Sequence, residues 1–99
     1  MIKPFKIDIP DIELQEIYNK VKNYPWHEMP DDGGWGYGTN LEYMKEISSY
    51  WVKDFDWRKY EAEINKFSNF KTNVDNIDIH FIHEKGSGAN PTPLLLMHG

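Results

Sequence analysis

Apolar and polar positions change their spacing repeatedly along this chain of 99 residues. Phe5, Ile7 and Ile9 alternate with Lys6 and Asp8, the period of two expected of a short half-buried strand or extended arm. Pro10 stops that pattern, and Asp11 is placed to cap a helix by accepting from free amides of the first turn. Leu14, Ile17, Tyr18 and Val21 then lie three and four apart, on one helical face. Lys20 and Lys22 near the end suit the negative pole of that helix. Pro25 closes the element, because the residue before a proline avoids helical angles.

From Tyr24 to Gly38 the periodicity disappears. Pro25, Pro30, Gly33, Gly34, Gly36 and Gly38 share the stretch with Trp26, Trp35 and Tyr37. Asp31-Asp32 before Gly33-Gly34 predicts a turn. An aromatic-rich loop of this kind is expected to lie pinned to a surface. Thr39-Asn40-Leu41-Glu42 fits a capping box, in which a hydroxyl and a carboxylate satisfy each other's orphan amides. A helix is predicted from about residue 40 to about residue 53. Its buried stripe is Leu41, Met44, Ile47, Trp51 and Phe55. Asp56 then caps a shorter helix with Trp57, Tyr60 and Ile64 on its apolar side, and Phe67 and Phe70 lead out of it.

After Phe70 the period returns to two. The segments 70–74 and 77–82 flank Asp75-Asn76, two residue types that tolerate the left-handed angles of a two-residue hairpin turn. A loop from Gly86 to Pro93 follows, and then Leu94-Leu95-Leu96-Met97, apolar at every position. A strand buried on both faces reads this way, and such strands belong in parallel sheets under helices. One hairpin and one four-residue strand cannot cover both faces of that segment, nor does the chain contain the crossovers that parallel strands need. The expectation is that these residues are the front end of a longer α/β protein.

Composition narrows the chemistry. Lys and Arg number 11 against 16 Asp and Glu, a formal charge of -5, which argues against a nucleic-acid partner. Without cysteine there is no disulfide, thiolate catalysis or cysteine zinc site. No apolar run approaches a membrane span and no signal pattern opens the chain, so no membrane anchor and a cytoplasmic address are expected. Aromatic residues make up 15% of the chain, enough large rings to build a small core.

Most candidate sites have a plainer structural reading. His80 and His83 are three apart and point to opposite faces of a strand, so they make two polar strand residues rather than a metal pair. Asp31 and Asp32 favour a turn for backbone reasons, and Glu61 and Glu63, two apart on a helix, do not face one another. Both pairs read as charged surface. Trp35, Tyr37, Trp51 and Trp57 suit packing better than stacking on a sugar. Thr39, Ser48, Ser49 and Ser68 sit in no strand–turn–helix elbow, so none reads as a nucleophile. His98-Gly99 differs. It ends an apolar strand with a turn that glycine permits, where backbone amides just beyond can face an anionic oxygen.

In combination these segments resemble the N-terminal region of the microsomal-type epoxide hydrolases, a branch of the α/β-hydrolase family. The resemblance rests on Phe5-Lys6-Ile7 with Ile9-Pro10, Tyr24-Pro25-Trp26, and Gly34-Trp35-Gly36-Tyr37-Gly38-Thr39. It continues through Phe55-Asp56-Trp57-Arg58, Asn65 with Phe67, Ile79-His80-Phe81-Ile82-His83, and Pro93 to Gly99. It implies a helical meander over residues 1–69, then over 70–99 the incomplete start of an α/β-hydrolase sheet, a β-hairpin plus one buried strand. It also implies conversion of epoxides to vicinal diols by added water, with no cofactor and no metal. In that family a His-Gly-x-Pro motif shapes the oxyanion hole, and His98 and Gly99 match its first half. The Asp nucleophile, the His base with its acidic partner and the two ring-opening Tyr are implied downstream, so no catalytic residue falls in this segment. The implied partners are the remainder of the hydrolase core and a small epoxide, and an oligomer is possible. A non-catalytic interaction module, or the front of a dehalogenase or esterase, would share these features, and the residue at the downstream elbow separates the enzymes in part.

Overall fold

The structure, a computed structural model, describes residues 1–30 and 34–99. Its elements in chain order are β1 (Lys3–Pro4), α1 (Asp11–Lys22), α2 (Leu41–Lys53), α3 (Trp57–Ile64), β2 (Asn69–Val74) and β3 (Ile77–Ile82). The chain forms two units, Asp8–Glu61 and Met1–Ile7 with Ala62–Gly99. The predicted turn at Asp31-Asp32 lies outside the described residues.

In the helical unit, α1 starts one residue earlier than a cap at Asp11 would require. Pro10 occupies the cap position, and its carbonyl accepts from the amides of Glu13 (3.0 Å) and Leu14 (3.2 Å). Asp11 is instead the first helical residue, and its carboxylate turns to Arg58 at 2.6 Å. The start of α2 shifts in the opposite sense, one residue later. Asn40, not Thr39, is the cap, its Oδ1 accepting from the Tyr43 amide at 2.9 Å. Glu42 therefore sits one position early for a capping box and meets Lys45 at 3.2 Å. At α3 the expected cap forms, with Asp56 Oδ1 accepting from the Arg58 amide at 3.0 Å.

The apolar faces of these helices stay open. Leu41, Met44 and Phe55 are half-buried, but Ile47 and Trp51 are about two-fifths exposed, so the predicted stripe is no buried core. Leu14, Tyr18 and Val21 are half-buried in the same way while Ile17 is exposed. Tyr18 Oη donates to the Phe55 carbonyl at 3.3 Å, and the Phe55 and Tyr60 rings stack with centroids 5.1 Å apart. Among all described residues no apolar side chain is buried; Glu61 and Asn69 are the two that are. No described helix is long and apolar enough to cross a membrane.

The other unit is a three-stranded antiparallel sheet of order β1-β2-β3. Asp75 and Asn76 take the left-handed φ values of 50° and 65°, the conformation predicted for them. Asn73 reinforces the turn, accepting from the Asn76 amide and donating to Asp78. Phe70 faces Phe81 in the register, and their rings stack 5.7 Å apart. β1 is shorter than the alternation at Phe5, Ile7 and Ile9 suggests. Those three residues are half-buried and their neighbours exposed, as the period requires, but beyond Pro4 the segment is an extended arm rather than a strand. Leu94–Met97 carries no strand in this structure, and its four side chains are 81 to 84% exposed. A strand exists only through ladder hydrogen bonds to a neighbour, and none of the described strands pairs with this segment.

Candidate functional site

The densest polar arrangement of the helical unit surrounds Glu61, 7% exposed on α3. The spacing Trp57, Arg58, Glu61 puts all three side chains on neighbouring positions of one helical face. Trp57 Nε1 donates to Glu61 Oε2 at 3.0 Å, and Arg58 Nη1 to Oε1 at 2.7 Å. The third donor comes from the arm: the Ile9 amide reaches Oε2 at 2.9 Å. Arg58 closes the loop, its Nη2 donating to the Ile9 carbonyl and to Asp11, each at 2.6 Å, with Asp8 at 3.8 Å. The amide of Ile9 above all, then Arg58 and Trp57, holds the Glu61 carboxyl below the usual carboxylate range, against the opposing effect of burial. Asp11, and then Glu61, raise Arg58 above its ordinary value.

This arrangement fixes structure and cannot act as an acid–base centre. Three donors hold the two oxygens of Glu61, which keeps its carboxylate ionised and without a proton to give. Reading Glu61 as surface charge is therefore a mistake that the structure corrects. Ile9, which binds Glu61, and Asp11, which binds Arg58, lie about fifty residues away in sequence, and only the local Trp57-Arg58-x-x-Glu61 spacing hints at the cluster.

Beside it runs an apolar groove of about 300 Å³ lined chiefly by Ile9, Leu14, Ile17, Tyr18, Trp51 and Trp57. A second recess of about 270 Å³ sets Lys22, Lys45 and Lys53 around Trp26, Ser48 and Ser49. Neither holds a base positioned against a hydroxyl. Trp35 and Tyr37 are well exposed, Trp35 lying 5.3 Å from Tyr43, so they form no closed aromatic pocket.

In the sheet unit, Asn69 is the buried group. Its Nδ2 donates to the carbonyls of Ile64 and Phe67, both at 2.9 Å, which leaves Oδ1 to accept. His80 Nε2 lies 2.8 Å from that oxygen and must therefore carry the proton. His80 packs edge-on to Phe5, with centroids 5.2 Å apart, and His83 is bound to Ser68 through its backbone amide only. The structure does not bring His80 and His83 together at a site, and no cluster of three metal-ligating side chains occurs among the described residues. Asn65 holds the arm from the same unit, its Oδ1 accepting from the Ile7 amide at 2.8 Å and its Nδ2 donating to the Ile7 carbonyl at 2.7 Å. His98 and Gly99 are exposed, following the open Leu94–Met97 segment, and a Cβ at Gly99 would touch nothing.

Three comparisons bear on these features. The family described as epoxide hydrolase N terminus matches residues 2–99. "Epoxide hydrolase 1" of Sus scrofa is 39% identical over 99% of this chain and 22% of its own length. A putative epoxide hydrolase of Stigmatella aurantiaca is 35% identical and the juvenile hormone epoxide hydrolase of Manduca sexta 34%, with the same coverage. Among solved structures, Aspergillus niger epoxide hydrolase superposes with a TM-score of 0.76 at 27% identity, over 83% of this chain and 22% of that one. The juvenile hormone epoxide hydrolase of Bombyx mori gives 0.73 at 26%, over 83% and 20%. The chain spans about a fifth of the length of the relatives it matches.

Proposed function

Because this chain belongs to the epoxide hydrolase N-terminus family, we propose that it is the leading portion of an enzyme that opens epoxides to vicinal diols. The carrying observation is the family match over residues 2–99, with relatives 34 to 39% identical along 99% of the chain. Residues 1–69 form the covering meander, and residues 70–99 begin the core sheet. The open apolar faces support this division of labour, since helices that bury no apolar side chain among themselves need another surface to lie on. The remaining core is that surface.

The reaction for the complete protein has two steps. A carboxylate supplied downstream attacks one epoxide carbon, forming an ester as the ring C–O bond breaks and tyrosines protonate the departing oxygen. A His-activated water then attacks the ester carbonyl, releasing the diol and restoring the carboxylate. Backbone amides at the turn begun by His98 and Gly99 stabilise the charge on that carbonyl oxygen. Residues 1–99 alone carry no nucleophile and give no turnover.

The test is a single turnover of the complete protein on a simple aryl epoxide in ¹⁸O-labelled water. The product of that first turnover is expected to be a diol carrying unlabelled oxygen, because the carboxylate supplies it. In the same protein, Gly99→Val is expected to lower kcat about 10²-fold by displacing an oxyanion donor, with KM nearly unchanged. Absence of diol refutes the activity. A labelled diol in the first turnover refutes the ester, and an unchanged kcat refutes the role of Gly99.

A further inference from the structure

Glu61 is a buried titratable group for which the proposed reaction has no use, and its surroundings have a one-sided chemistry. Three donors meet its two oxygens: the Ile9 and Trp57 N–H groups on Oε2 and the Arg58 guanidinium on Oε1. Arg58 in turn grips the other side of the same arm residue, the Ile9 carbonyl, and the Asp11 carboxylate. Ile9 is thus held at both its backbone N–H and its C=O by one ion pair projecting from α3. The same pair sets two walls of the apolar groove, because Ile9 and Trp57 both line it.

We propose that residues 8–11 are a strap locked to α3 by the Glu61–Arg58 pair, a lock that is closed while Glu61 is ionised and opens when it is protonated, freeing Ile9 and Trp57 together. The inference is independent of the chemistry proposed for the complete enzyme. Protonating Glu61 places an O–H among groups that can only donate, and it cancels the charge that Arg58 neutralises. No neighbour can take over. The other charged groups facing this region are Asp8 and Asp11, which lie on Arg58, and Glu13 of α1 at the groove. None of them presents a carboxylate to the Ile9 amide in place of Glu61.

The sign follows from the direction of the shift. A carboxyl held below its ordinary range adds stability above that range, and the contribution is lost as pH falls through the lowered value. The strap therefore stays closed at neutral pH and opens in acid. Ile7 provides an internal control, because its N–H and C=O are both held by the neutral amide of Asn65, which does not titrate.

Hydrogen exchange and ¹⁵N NMR of the intact protein over an acid titration test the lock. The Ile9 amide is expected to lose protection by roughly ten- to a hundredfold, the worth of a hydrogen bond to a charged group, while Ile7 keeps its protection. Among the Trp indole N–H signals, that of Trp57 is expected to shift with the same midpoint. A Glu61→Gln variant, which sets an amide N–H against these donors, should show Ile9 unprotected already at neutral pH and lose the acid response. Simultaneous loss of Ile7 and Ile9 protection would reveal ordinary unfolding and overturn the proposal. So would an Ile9 amide that stays protected in acid or in the Gln variant. If that variant does not fold, the wild-type titration decides alone.

Discussion

The two units hold their polypeptide by different means. In the sheet unit the strands are joined by backbone ladders, and the one buried polar side chain, Asn69, is neutral. In the helical unit the arm residue Ile9 is held by an ion pair, through side chains only. A ladder repeats, so it survives the loss of any single side chain. The ionic clasp is concentrated in two residues. The comparison teaches that a chain whose described residues bury no apolar side chain can still order its segments through a few buried polar groups, provided that each buried side-chain nitrogen and oxygen has a partner.

The sharpest way to break the comparison is to remove the sheet unit's own anchor. Asn69→Ala takes away three hydrogen bonds and leaves the carbonyls of Ile64 and Phe67 and the His80 N–H without their partner. The expected cost is about 3 kcal/mol, read as faster hydrogen exchange of β2 and β3 amides. Unlike the loss of Ile9 protection, it should not vary with pH through the carboxylate range, since Asn69 carries no charge. A loss below about 0.5 kcal/mol would mean that the ladder suffices without the anchor.

A smaller effect is expected at the hairpin turn. Asn76 holds φ at 65°, where a β-branched residue meets its own backbone. Asn76→Val should cost about 1–2 kcal/mol in the stability of the β2–β3 pair, and Asn76→Gly should be neutral or slightly stabilising. Equal behaviour of the two variants in exchange measurements would show that the cross-strand pairs, not the turn, set the register.

What the residue order made legible was local. Asp75-Asn76 between two alternating segments specified the hairpin, and the three- and four-residue spacings specified all three helices, because the interactions involved span a few positions. The clasp was illegible for the opposite reason. Glu61 and Arg58 acquire their roles from Ile9 and Asp11, roughly fifty positions away, and without those partners they look like solvated charge. The Phe5–Ile9 alternation was read correctly as half-burial, but the partners of Ile7 and Ile9 are side chains of Asn65, Glu61 and Arg58, which leave no period in the sequence. Leu94–Met97 shows the converse limit. Its composition demands a neighbour on each face, but composition cannot supply one, so the segment stands exposed.

The starts of α1 and α2 lie between these extremes, legible in kind and displaced by one position, whereas that of α3 falls where Asp56 predicts it. The stretch Thr39-Asn40 offers two adjacent cap residues, and the glutamate at position 42 favours Thr39 because a capping box needs that spacing. Backbone geometry chooses Asn40: its φ and ψ of -56° and 133° are extended, and its side chain already satisfies the Tyr43 amide. Glu42 meanwhile pairs with Lys45 three residues on, a local charge pair taking precedence over the box. Exchange of the first-turn amides of α2 separates the two alternatives. Asn40→Ala should destabilise that turn by about 1 kcal/mol, whereas Thr39→Ala should change it by less than about 0.3 kcal/mol. The reverse order would restore the Thr39 box and place the start of α2 one residue earlier, where the sequence pattern puts it.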